Sequence, residues 1–164
     1  MANLGYLPRM NYPLDFSLST LRQIRQNCLA IADRYDGEAL QVIPKGFNNN
    51  LIWNLGHIVV TQQLLHYGLS QQPLRIPKEW VAKYRKGSKP EGRVPQEEID
   101  AIRRALDTTV DQLAADLQTG MFDNFKPYPT STGVTLGSIR EALIFNHMHE
   151  GIHLGSMLAI RKFL

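Results

Sequence analysis

Two of the five histidines in this 164-residue chain, His149 and His153, stand four apart in the run Asn146-His147-Met148-His149-Glu150-Gly151-Ile152-His153. On a helix, residues four apart share a face with Cβ atoms about 5–6 Å apart. Two imidazoles so placed on a rigid helix supply two nitrogen ligands to one metal ion. Two histidines alone hold a metal weakly, so the pair calls for a third ligand. His57 is the candidate, in Asn49-Asn50-Leu51-Ile52-Trp53-Asn54-Leu55-Gly56-His57, with Trp53 one turn before it on the same side. His66, nine residues further on, lies about half a turn away and cannot face the same site; near the end of its helix, it is expected in solvent. His147 lies about 200° around the helix from His149 and points elsewhere.

Three neutral imidazoles leave a coordination position open, the arrangement of a catalytic rather than a structural metal site. Such an ion lowers the pKa of a bound water to about 7 and deprotonates a bound thiol. Glu150 and Asn146 are the groups expected to carry a proton or orient a histidine, and Asn54, one turn before His57, could do the same. The only cysteine, Cys28, lies in an apolar seam and is expected to be an inert core thiol. A reactive thiol would therefore come from a low-molecular-weight cofactor.

His149-Glu150-Gly151-Ile152-His153 also matches H-E-x-x-H, the zinc protease signature. A protease of that kind needs a third ligand downstream, and the 11 residues after His153 contain no His, Asp or Glu. No strand is expected that would bind an extended peptide, so the protease reading is set aside.

The elements that position these residues read as helices. Leu21, Ile24, Cys28, Ile31 and Tyr35 step by three and four along a first helix, with Ser17 or Ser19 as its N-cap after an irregular lead-in over residues 1–16. A second helix is expected over about 50–69, a third over about 96–118, and a fourth from about Thr135 to the last residue. The fourth has a seam of Ile139, Leu143, Asn146, Glu150, His153, Met157, Ile160 and Leu164, apolar at both ends and polar in the middle. A core seam tolerates such a break only where the polar groups are paired or functional. Gly56, Gly151 and Gly155 lie inside helices, where each costs about 1 kcal/mol relative to Ala, and are expected at close helix contacts. Gly151 and Gly155 share a face with His147 that could also serve a homodimer.

Residues 70–95 form a connector with seven basic residues and two acids, a local charge of +5 that leaves the remainder of the chain at −2. Trp80 and Tyr84, four apart within it, suggest a short helix docked on the bundle. Residues 119–134 carry two prolines and two glycines and are expected to form a small hairpin. The whole reads as one all-α four-helix-bundle domain over residues 1–164, with long connectors.

At the histidine positions the chain resembles the DinB-like (YfiT-like) superfamily of metal-dependent bacterial proteins. The resemblance rests on Asn50-x-x-Trp53-x-x-x-His57 and His149-x-x-x-His153-x-Gly155, with Arg161 fitting the ending of the last helix. It implies an up-down-down-up bundle and one metal ion, nickel or zinc, on His57, His149 and His153. It also implies thiol-dependent transfer or hydrolysis. The chain departs from the usual pattern at Ser156, where Gln is common, and at Thr61, where a carboxylate often stands.

The expectation is thus a metal-dependent enzyme, S-transferase-like or hydrolase-like, acting on a small molecule; the alternative is a non-catalytic metal- or ligand-binding stress-response protein. A net charge of +3 is a weak field for gripping nucleic acid, and the basic connector lacks a helix-turn-helix or a stacking platform. No apolar run approaches the length of a membrane span, and the first residues lack the pattern of a secretory signal. With a single cysteine, a cytoplasmic setting is expected.

Overall fold

The computed structural model describes residues 14–164, so the expected lead-in falls outside the described residues except at Leu14–Phe16, which are already helical. Five helices carry the fold: α1 (Leu14–Ala32), α2 (Leu51–Gln63, continued by one π-helical turn over Leu64–Gly68), α3 (Lys78–Tyr84), α4 (Gln96–Asp116) and α5 (Ile139–Ile160). Ser17 and Ser19 are inside α1, not at its N-cap. Ser17 is buried, and the Ser19 hydroxyl donates to the Phe16 carbonyl.

Side-chain pairs fix the directions of the four long helices. Ser17 meets His147, Arg25 meets Glu150 and the Tyr35 hydroxyl meets the Arg161 carbonyl, so α1 and α5 run parallel. His57 faces His149 while Asn54 faces His153, so α2 runs antiparallel to α5. Arg22 pairs with Asp111 and Asp33 with Arg103, which sets α4 antiparallel to α1. The order is up, down, down, up, as the resemblance implies.

The core explains the seams. Leu21, Cys28 and Ile31 of α1 and Ile99, Ile102, Leu106, Val110 and Leu113 of α4 are buried. Helix α2 is enclosed by α3, α4 and α5, and every residue from Leu51 to Gln63 is buried except Thr61. A helix apolar nearly all round belongs at the centre of a core. Its start is fixed by Asn50, whose Oδ1 accepts from the Trp53 N–H at 2.9 Å while its Nδ2 donates to the Gln41 carbonyl.

The expected hairpin is present as a two-residue ladder, β1 (Tyr128–Pro129) against β2 (Thr135–Leu136). Thr135 therefore belongs to a strand, and the last long helix begins later, where the Ser138 hydroxyl accepts from the Glu141 N–H and the Glu141 carboxylate reaches back to the Gly137 N–H. Within the expected docked helix, α3, Trp80 and Tyr84 are buried. It is held close because Gly56 offers no side chain: a Cβ there would stand 2.6 Å from the Tyr84 ring. The Tyr84 hydroxyl donates to Glu98 of α4 at 2.7 Å, which locks the other side of the ring.

Candidate metal centre

The buried turn around Tyr84 places a backbone acceptor where the site needs one. His57 Nδ1 lies 2.5 Å from the Tyr84 carbonyl oxygen. A carbonyl only accepts, so Nδ1 carries the proton and Nε2 presents a lone pair. Trp53 stacks on the His57 ring, with centroids 4.6 Å apart and an interplanar angle of 11°, and its own N–H donates to Ser88. The imidazole is thereby held in both orientation and tautomer.

His153 is fixed by the same device. Its Nδ1 lies 2.8 Å from Asn54 Oδ1. The Asn54 amide nitrogen donates to the Asn50 carbonyl at 2.7 Å and to Asn49 Oδ1 at 3.1 Å, which leaves its oxygen for the histidine. His153 Nδ1 is then the protonated nitrogen, and Nε2 is free to bind. The reading of Asn54 as an orienting group matches this geometry.

The three imidazoles converge. His57 Nε2 and His149 Nε2 are 3.1 Å apart, the ring centroids of His153 lie 4.6 Å from those of both partners, and the ligand atoms all fall within 4.8 Å of one another. A tetrahedral ion with metal–nitrogen bonds of about 2.0–2.1 Å spaces its ligands about 3.3 Å apart, so the donor set fits one divalent ion. Among the described residues, this is the one cluster of histidine, cysteine or acidic groups placed to hold a metal. Burial lowers the pKa of all three. His149 is pushed down to about 3 by burial and then by its two neighbours, and His153 to about 4 by burial and then by His57. At neutral pH the imidazoles are uncharged, the form that ligates.

Asn146 and Glu150, expected to orient a histidine or carry a proton, are bonded to each other, and Glu150 to Arg25. Glu150 is fully buried and accepts from Arg25 through Nε at 3.0 Å and Nη2 at 2.7 Å, and from Asn146 Nδ2 at 2.8 Å. The reason is helical: residues 146 and 150 share a stripe about 60° and 100° around the helix from His149, where Glu150 meets Arg25 of α1. Arg25 in turn donates to the Leu106 carbonyl and to Thr109 of α4. A carboxylate so paired and so enclosed does not serve as the base of a zinc protease, which removes the remaining appeal of the H-E-x-x-H match.

Arg25 is the site-adjacent residue that the sequence reading missed. It stands four after Leu21 and three before Cys28, on the very seam that was read as apolar, and it complements the polar break in α5. The Cys28 thiol is fully buried and pushed up to about 12, by burial first and by Glu150 next, so it stays protonated and inert as expected.

His147 points away as anticipated, with Nε2 2.8 Å from the Ser17 carbonyl. His66 is a correction: it is completely buried, on a part of the helix turned into the core. Its Nδ1 donates to the Gln62 carbonyl at 2.7 Å, and burial lowers its pKa to about 3. Between pH 6.5 and 3, the unfolded chain holds a proton on this residue that the folded chain does not, so its contribution to stability is lost as pH falls through that window. We expect His66→Leu to reduce the slope of unfolding free energy against pH by about 1.4 kcal/mol per unit near pH 5, measured by urea titration of both proteins. Equal slopes would contradict the placement of His66.

Gly151 and Gly155 also depart from expectation, since nothing lies within 4 Å of a Cβ built at either one. Of these three helical glycines, Gly56 alone marks a tight contact with another described residue.

A cavity of about 460 Å³ opens beside His57 and His149. The end of α2 lines it with Thr61, Leu64, Leu65 and Leu69, α5 with Phe145, Met148 and Ile152, and the hairpin with Tyr128 and Thr130–Thr132. Thr61 Oγ1 lies 3.3 Å from His57 Nε2, so a neutral hydroxyl occupies the place where a carboxylate is common.

Comparison with known proteins agrees with this architecture. The model of the DinB superfamily matches residues 20–157. The crystal structure of a conserved protein from Enterococcus faecalis superposes with a TM-score of 0.59 at 13% identity, covering 92% of this chain and 96% of that one, a likeness of fold. No curated protein sequence matches the chain.

Proposed function

The chain belongs to the DinB superfamily, and on that premise we propose that it is a metal-dependent enzyme acting on a small molecule by thiol-dependent transfer or by hydrolysis. The observation that carries this reading is the pairing of a prearranged three-histidine donor set with an adjoining 460 Å³ cavity. His57, His149 and His153 would hold the ion, nickel or zinc as the resemblance implies, both being metals that imidazole suits. A bound ion supplies Lewis acidity, which lowers the pKa of a coordinated thiol or water. The chain's own residues do the rest. Tyr84 and Asn54 keep the ligand lone pairs of His57 and His153 aimed inward, the cavity offers an apolar surface to a substrate, and the Thr61 hydroxyl presents a hydrogen-bonding group beside His57.

A small-molecule partner, in preference to nucleic acid, is supported by the fate of the basic connector. Arg75, Lys83 and Arg93 are paired with Asp116, Glu98 and Glu38 on the rest of the chain, so part of its charge serves to pin it down. No described helix is long and apolar enough to cross a membrane, and the lone buried cysteine supports a cytoplasmic setting.

The test is a screen of low-molecular-weight thiols with electrophiles, alongside activated esters, using protein purified without a tag. Turnover that a chelator abolishes and nickel or zinc restores is the expected result. Full metal content with no turnover on any pair would favour the non-catalytic binding protein.

A further inference from the structure

The cavity beside the histidines has a chemical bias of its own. Much of its lining is hydrocarbon, from Leu65 and Leu69 at the end of α2 to Phe145 and Met148 on α5. Lys86 is the one charged residue among those that line it. Lys86 is exposed and makes no ion pair or hydrogen bond with any described residue, in contrast to Lys83 three positions earlier, which is neutralised by Glu98. It also stands close to the chemistry. Tyr84, whose carbonyl accepts from His57, stands two residues before it, so the Lys86 Cα is at most about 7 Å from that of Tyr84. The Ser131 hydroxyl, on the hairpin side of the same cavity, is likewise without a partner among the described residues.

We propose that this cavity selects a small molecule with an apolar body and a single anionic group, the body lying on Leu65, Leu69, Phe145 and Met148 and the anion on Lys86. A neutral ligand of the same shape gains no ion pair with Lys86, and a polyanion places charge against hydrocarbon, so the cavity favours a single anion over both. A carboxylate on an apolar body suits this lining, because Lys86 shares the cavity with His57 and His149 and with the leucines at the end of α2. This assignment rests on the enzymatic reading for its relevance to turnover, but not for its test, which reads binding directly.

The probes are 4-phenylbutyrate and 4-phenylbutan-1-ol, which share one apolar body and differ in charge, titrated calorimetrically into the full chain with metal content measured on the same samples. The wild type is expected to bind the carboxylate about fivefold more tightly than the alcohol, the magnitude of one solvent-exposed ion pair. Lys86→Gln is expected to bring the two affinities together by weakening only the carboxylate, and Lys86→Arg to keep the preference. Equal affinities in the wild type, no binding of either probe, or a preference that survives in Lys86→Gln would each overturn the assignment. Metal bound without probe discrimination would sink this inference alone, whereas probe discrimination in protein that takes up no metal would sink the metal reading alone.

Discussion

His153→Ala is expected to leave a folded chain whose affinity for a divalent ion is lower by more than about 100-fold, with activity lost in step. The expectation follows from ligand count: two imidazoles, His57 and His149, remain where three converge within 4.8 Å. Asn54→Ala supplies a graded comparison. Asn54 touches no ion but holds His153 Nδ1 at 2.8 Å, and loss of such an orienting bond typically costs about 10–100-fold in affinity. The predicted order is therefore wild type, then Asn54→Ala, then His153→Ala, read by competition with a chromogenic chelator. Because Asn54 also bonds the Asn50 carbonyl at the start of α2, a urea titration should accompany the measurement. Wild-type affinity in His153→Ala would remove that residue from the site.

The second large effect is on stability. Glu150→Ala strands the Arg25 guanidinium, which has no solvent exposure, without its anion. Breaking a buried ion pair from one side costs about 3–5 kcal/mol, a large share of the total stability of a domain this size. Replacing both partners, as Arg25→Met with Glu150→Leu, removes the unpaired charge and should recover most of that loss. The same double variant separates structural from chemical roles. If Glu150 serves only to seat α5 against α1, the double variant keeps its metal and its turnover, whereas a proton-carrying Glu150 would leave it folded and inactive. Urea denaturation and metal analysis of the single and double variants decide the matter.

The histidine ligands were legible in the sequence because helical spacing is a strong constraint. His149 and His153 can only share a face, and a polar interruption in an otherwise apolar seam asks for partners. Trp53 and Asn54 were legible for the same reason, each set one turn or less before His57. The helix directions followed from the family resemblance, and each cross-helix pair from Ser17–His147 to Asn54–His153 agrees with it.

What stayed hidden was tertiary in origin. Arg25 was passed over because stepping by three and four from Leu21 leads through Ile24, and nothing local announces that the neighbouring position faces Glu150, 125 residues away. The role of Tyr84 lies in its carbonyl, and backbone acceptors leave no trace in side-chain pattern. His66 stands near a helix end, which locally reads as solvent, yet its side of the helix is covered by the core while Gly68 is exposed. The start of α5 was placed too early because Thr135 and Leu136 pair with β1, a contact that helical periodicity does not report.

We propose above all that His57, His149 and His153 together hold one divalent ion. The most direct test is elemental analysis of the wild-type chain purified without an affinity tag, beside His57→Ala prepared identically. About one nickel or zinc per wild-type chain, falling to background in His57→Ala, is the predicted result. Wild-type protein that carries no metal above background, and takes up none on titration, would contradict it.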